Sequence, residues 1–138
     1  MTEAEAKQIN PVVLAFLGDA VYSLWVRERL VRSGAGKASE FQRAAAKIVS
    51  ARGQSVFLEK VLPLLTDEET EIFKRGRNAK KPTKSKSATA SEYNRSTGLE
   101  AVLGFLHLTG RAARIEELLS CIDEAALKGQ AAEKVYKP

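Results

Sequence analysis

The chain has 138 residues, 44% of them hydrophobic and 28% charged, with a formal net charge of +5. That length fits one domain with a core of ordinary size. The single cysteine, Cys121, excludes an internal disulfide and a cysteine-based zinc cluster, and it fits a reducing, cytoplasmic location. No apolar run is long and uncharged enough to span a bilayer, and no basic segment precedes the first one, so neither a membrane span nor a signal peptide is expected.

Met1 to Ile9 is polar and is expected to fray. Asn10 and Pro11 then read as a helix start, a side-chain cap followed by a residue with no N–H to leave unpaired. From Val12 to Val31 this first main helix is apolar almost all round, which predicts burial on more than one side. The loop Ser33-Gly34-Ala35-Gly36 closes it. A second helix starts near Ser39, capped by Ser39 with Gln42 three residues on, and Gly53 ends it. A short third helix spans Gln54 to Leu62, stopped by Pro63. Thr66 followed by Asp67, Glu68 and Glu69 starts a fourth, which ends in Lys74-Arg75-Gly76 with cations at the negative end of its dipole. Residues 78–91 lack an apolar period and read as a mobile basic loop. The fifth helix covers Ser96 to Leu108 and the sixth Ala112 to Lys128, with Arg114, Glu116 and Glu117 on its outer face. Gly129 caps the sixth helix, and 130–138 is a polar tail. No period-2 strand, repeat or composition shift divides the chain. The expectation is one all-α domain, a bundle of about six helices.

Charge is concentrated. Between Ile72 and Ser91 there is no acid and there are seven cations, Lys74, Arg75, Arg77, Lys80, Lys81, Lys84 and Lys86. That stretch carries +7, so the remainder nets −2. Cations with no interleaved acid repel one another unless a polyanion neutralises them, which points to nucleic acid. Arg75, Arg77 and Asn78 are the choice for fixed contacts, and Lys80, Lys81, Lys84 and Lys86 for diffuse phosphate contacts.

Two acids stand inside apolar helices, Asp19 and Glu100. No Lys or Arg lies at a spacing that pairs with either along its own helix. Burying a lone carboxylate is costly. If the two helices pack together, the pair can converge on a hard cation such as Mg²⁺, which takes one or two protein carboxylates plus waters and phosphate oxygens. Gly18 and Gly104 would allow the close approach. The alternative is that each acid meets a helix N-terminus, an arginine or a wet groove, and the acids alone leave the two readings even. The basic stretch tips the balance to metal plus phosphate. His107 and Cys121 have no partner pattern and read as structural.

Leu14-Ala15-Phe16-Leu17-Gly18-Asp19-Ala20-Val21 resembles the signature helix of the ribonuclease III family. Thr97-Gly98-Leu99-Glu100-Ala101-Val102-Leu103-Gly104 resembles the second motif of that family. The stretch from Phe73 to Lys80, and Tyr93 with Ser96 and Thr97, resemble its short bacterial Mini-III branch. The resemblance runs from about Asn10 to Gly129. It implies a helical catalytic domain that forms a homodimer and cleaves double-stranded RNA with Mg²⁺, or Mn²⁺ as a substitute, leaving 5′-phosphate ends. It makes Asp19 and Glu100 the catalytic metal ligands. The family also pairs its signature helices across a two-fold axis, so Phe16, with Leu17 and Trp25, is expected at the dimer interface. The branch further implies precursor large-subunit ribosomal RNA as substrate and leaves open a ribosomal protein partner.

Two positions depart from the family pattern: Ala15 and Thr97 stand where acids are usual. Thr97 keeps a hydroxyl that can donate a hydrogen bond or hold a water. The chain stops at Pro138 with no residues for a separate double-stranded-RNA-binding domain, so grip on the substrate is expected from the basic stretch. The competing reading is a non-catalytic module of the same fold that clamps structured RNA, supported by the two missing acids. The retained Asp19 and Glu100 oppose it, because a pure binder gains nothing from acids facing a polyanion.

Overall fold

In the computed structural model, residues 1–34, 36–81 and 89–122 are described. Seven α-helices and one 3-10 turn account for them, and none of them is in a strand. The helices are α1 (Glu3–Lys7), α2 (Pro11–Ser33), α3 (Ala38–Val49), α4 (Ala51–Val61), α5 (Asp67–Asn78), α6 (Ala90–Leu108) and α7 (Ala112–Leu119), with the 3-10 turn at Leu62–Leu64.

The start of the chain is helical. Thr2 caps α1 in a reciprocal box with Glu5, and Ala6 is fully buried. Ion pairs from Lys7 to Glu68 (3.1 Å) and from Arg111 to Glu3 clip α1 to α5 and to the turn before α7. The Asn10 cap forms as predicted, its side chain accepting from the Val12 amide at 2.8 Å.

Three boundaries differ from the expectation. Lys37, not Ser39, occupies the cap position of α3, and no side chain caps that end. Ser50 both closes α3 and caps α4, its hydroxyl accepting from the Gly53 amide at 3.0 Å. Gly53 therefore lies in the first turn of α4 and does not end α3. Helix α6 begins six residues before Ser96, because Thr89 and Glu92 form a capping box there. Thr66 and Glu69 form the box predicted for α5. That helix passes Gly76 and runs to Asn78, since Gly76 is buried where α5 crosses α6 beside Gly98. The part of the sixth predicted helix beyond Ile122, the Gly129 cap, the polar tail, Lys84 and Lys86 all lie outside the described residues.

Helix α6 is the buried axis of the molecule. Residues 96–99 and 101–106 are all buried, and α2 and α5 make its most extensive contacts, with α4 and α7 beside them. One core results, including Leu14, Tyr22, Val26 and Leu30 from α2, Phe57 and Leu58 from α4, Ile72 and Phe73 from α5, and Leu118 and Leu119 from α7. Helix α2 is less enclosed than its composition predicts. Val13, Phe16, Leu24 and Val31 are exposed, and Phe16 reaches 82%. At 3.6 residues per turn they fall on one stripe, with Ala20 between them.

Arg114 also departs from the expectation of an outward face. Its Nε and Nη2 donate to both oxygens of buried Glu69, at 2.9 and 2.7 Å, and Nη2 also reaches the Leu64 carbonyl at 2.8 Å. Burial raises the Glu69 carboxyl, but the Arg114 hydrogen bonds and the Thr66 amide outweigh it and hold the group below its usual range. Glu69 thus joins the cap of α5 to α7.

Candidate active site

Helices α2 and α6 cross with their backbones nearly touching. A Cβ on Gly18 would lie 1.7 Å from the Glu100 carbonyl oxygen, and one on Gly104 would lie 2.0 Å from that of Leu14. Only glycine fits at either place, as the sequence reading expected of this pair. The crossing sets Asp19, next to Gly18, and Glu100, one turn before Gly104, into one cleft of about 360 Å³. The cleft is lined by α2 (Val12, Ala15, Phe16), the α3–α4 junction (Val49, Ala51, Gln54), Lys81, and α6 (Tyr93, Ser96, Thr97).

The two acids are not equally enclosed. Asp19 stands exposed at the rim, which corrects the expectation that both are buried. Glu100 is half-buried, and its carboxyl is pushed up to about 9, first by burial and then by the hydrogen bond and negative charge of Asp19. A hydrogen bond from Gln54 Nε2, 3.2 Å from Oε2, acts in the opposite direction. Among the described residues no Lys or Arg is salt-bridged to either acid. Two carboxyls held together without a salt-bridged cation are a suitable donor pair for one hard divalent cation. Among the described residues no third acid, histidine or cysteine joins them in a metal-holding group. Ala15 lines the cleft without a donor. Thr97, buried, donates its hydroxyl to the Tyr93 carbonyl at 2.9 Å, so its proton is spent inside α6 and is not free for the cleft.

The basic set divides. Lys81 lines the carboxylate cleft and is not diffuse: its ammonium donates to the carbonyls of Arg77 (3.0 Å) and Ala79 (2.7 Å), closing the end of α5. Desolvation lowers its pKa from the usual lysine value. Arg77 and Asn78 line a second hollow of about 440 Å³ with Ser91, Asn94 and Arg95. There Arg77 lies over the Phe73 ring, 5.8 Å from its centroid, and donates to Asn78 Oδ1 at 3.1 Å. Arg75 turns away, donating to the Lys7 carbonyl at 3.1 Å. Lys74 and Lys80 are exposed.

Of the residues expected at an interface, Phe16 is bare and Leu17 half-buried. Trp25 lies on a different flank of α2, where its Nε1 donates to Glu116 at 2.6 Å under the Arg29 guanidinium. The sequence reading missed Gln54 altogether. It had a readable signal: Gln54 precedes Phe57, Leu58 and Val61 by three, four and seven residues, a polar side chain on a core stripe.

A ribonuclease III domain model matches residues 12–111. The chain therefore belongs to the ribonuclease III family. Within that family it resembles the Mini-ribonuclease 3 proteins. That of Symbiobacterium thermophilum is 40% identical over 94% of this chain and 100% of its own length. That of Streptococcus pneumoniae is 44% identical over 84% of this chain and 93% of its own. A crystal structure of a Fusobacterium nucleatum protein, 30% identical, superposes with a TM-score of 0.76 over 83% of this chain and 92% of that one. The chain is a ribonuclease III-type endoribonuclease. No helix among the described residues is long and apolar enough to cross a membrane.

Proposed function

We propose that this endoribonuclease hydrolyses phosphodiester bonds of double-stranded RNA at the Asp19–Glu100 cleft, with Mg²⁺ as its cation and Mn²⁺ as a substitute. The observation that carries the reading is the convergence of two carboxyls, neither ion-paired among the described residues, in an open cleft beside a lysine. Asp19 and Glu100 hold the cation. When bound, it supplies positive charge to the phosphate oxygens and lowers the pKa of the attacking water. Lys81, fixed by two backbone carbonyls, presents its ammonium to a phosphate in the same cleft. Arg77, Asn78, Lys74 and Lys80 lie along the path of the strand next to it, through phosphate and 2′-hydroxyl contacts that duplex RNA offers without regard to sequence. Arg75, engaged with the Lys7 carbonyl, contributes less than its charge suggests.

A homodimer completes the reading. The bare stripe Val13, Phe16, Leu24 and Val31 supports it, and Phe16 belongs both to that stripe and to the cleft wall. A second copy on this stripe would bring two clefts to one duplex, one for each strand. The motif resemblance supports precursor large-subunit ribosomal RNA as substrate.

The test is cleavage of a labelled RNA duplex with Mg²⁺ or EDTA. Asp19→Asn and Glu100→Gln should each lower the rate on the order of 10²–10³-fold with duplex binding retained. Binding without any cutting by the parent, across Mg²⁺ and Mn²⁺ concentrations, would favour the non-catalytic clamp. The ribosomal substrate is tested separately, by whether its precursor stem is cut faster than an unrelated duplex.

A further inference from the structure

Gln54 is 2% exposed on the core stripe of α4. Its Nε2 donates to the Val49 carbonyl at 3.0 Å and to Glu100 Oε2 at 3.2 Å, which uses both amide hydrogens. Its Oε1 is buried with no partner among the described residues. The amide cannot turn over, because Oε1 would then face the Val49 carbonyl, which can only accept. An orphaned buried carbonyl costs stability. What the amide gains in return is a bond to the Val49 carbonyl at the end of α3 and a contact with the Glu100 carboxyl.

Local backbone geometry serves that contact. A Cβ on Gly53 would lie 2.3 Å from the Lys47 carbonyl oxygen and 2.6 Å from that of Ile48. The glycine lets the first turn of α4 press onto the end of α3. Gln54, the next residue, is thereby held with Val49 on one side and Glu100 on the other.

We infer that Gln54 is a positioning residue that locks the Glu100 carboxyl toward Asp19, so that the cation meets a preformed pair. The inference deepens the proposed function and rests on it. Orienting partners of metal ligands typically change metal affinity or activity by about 10- to 100-fold when removed.

The experiment is calorimetric titration of Mn²⁺ into the RNA-free protein, alongside duplex cleavage across Mg²⁺ concentrations. The variants are Gln54→Met, which keeps length and loses the donors, and Gln54→Asn, which keeps the amide and loses the reach. Gln54→Met is expected to stay folded, melting somewhat below the parent because the Val49 carbonyl loses its donor, and to bind duplex in EDTA like the parent. Its Mn²⁺ affinity should fall about 10- to 100-fold, with a matching rise in half-saturating Mg²⁺. Gln54→Asn should show the same metal defect. Parent-like Mn²⁺ affinity in either folded variant would overturn the inference and leave Gln54 as core packing. Asp19→Asn in the same titration separates the two levels of argument. If it binds Mn²⁺ like the parent, or if the parent binds none, the two-carboxylate reading falls and takes the inference with it.

Discussion

At the scale of single residues, Glu100 sets a pH dependence whose sign can be worked out. Its carboxyl is raised from 4.5 to about 9 in the folded, metal-free chain. Between those values the folded form holds a proton that the unfolded form has released. The contribution is therefore favourable at low pH and is lost as pH rises through about 9. A divalent cation has to displace that proton, so its binding tightens by up to about tenfold per pH unit in the window. The gain in melting temperature from Mg²⁺ should thus be larger at pH 8.5 than at pH 6, read by scanning calorimetry. Equal gains at both would mean that Glu100 is already ionised in the free site. Asp19, Glu100 and the departures at Ala15 and Thr97 were all readable as residues. What Thr97 does with its hydroxyl was not, because a helical threonine chooses between the cleft and its own i−4 carbonyl, and here the carbonyl has it.

At the scale of elements, the site is a consequence of one helix crossing. Gly18 and Gly104 let α2 and α6 meet at backbone contact, and the carboxyl pair follows from that. Gly104→Ala would put a methyl into the Leu14 carbonyl, so the helices must separate. The expected cost is above about 3 kcal/mol in urea unfolding, beyond ordinary overpacking. Gly110 offers the contrast. It has φ of +73° and open space around it, and its alanine variant should cost only about 1 kcal/mol, from backbone strain alone. Equal costs at the two glycines would refute the crossing argument. Cap chemistry located the starts of α2 and α5 correctly, since a cap is a local bond between neighbours. It failed at α3 and missed the earlier start of α6. At α3 a capping-box spacing at Ser39 and Gln42 was present in sequence but unused, and at α6 the capping residue Thr89 lay inside the stretch read as loop, with Glu92 just past it.

At the scale of the whole molecule, α2 carries an exposed apolar stripe. Val13, Phe16, Leu24 and Val31 bury little within the protomer, and scattered apolar residues would not line up this way on one helix face. If a second copy covers the stripe, as proposed, Phe16→Glu should move the protein to the monomer in sedimentation. The melting temperature at low protein concentration should be unchanged, because the side chain is 82% exposed in the protomer. Paired cuts in both strands should be lost before nicking is. A Phe16→Glu protein that stays dimeric would place the interface elsewhere. Trp25 does not belong to this surface. Its indole N–H is taken by Glu116 within the protomer.

The all-α class, the pair Asp19 and Glu100, and the cation-rich stretch are properties of sequence alone. They depend on helical period, on cap residues, and on charge placed where the local chain cannot neutralise it. Tertiary structure decided which face each helix buries and therefore how the residues combine. It left one flank of α2 bare despite its uniform apolarity, because α6 and not α2 became the buried axis. It turned Arg114 inward to Glu69, and it drew Lys81 into the cleft through two carbonyls of α5 and its end. It also brought Gln54 to Glu100, 46 residues apart in sequence. These contacts join distant segments, and no local preference of the chain encodes where two helices will cross.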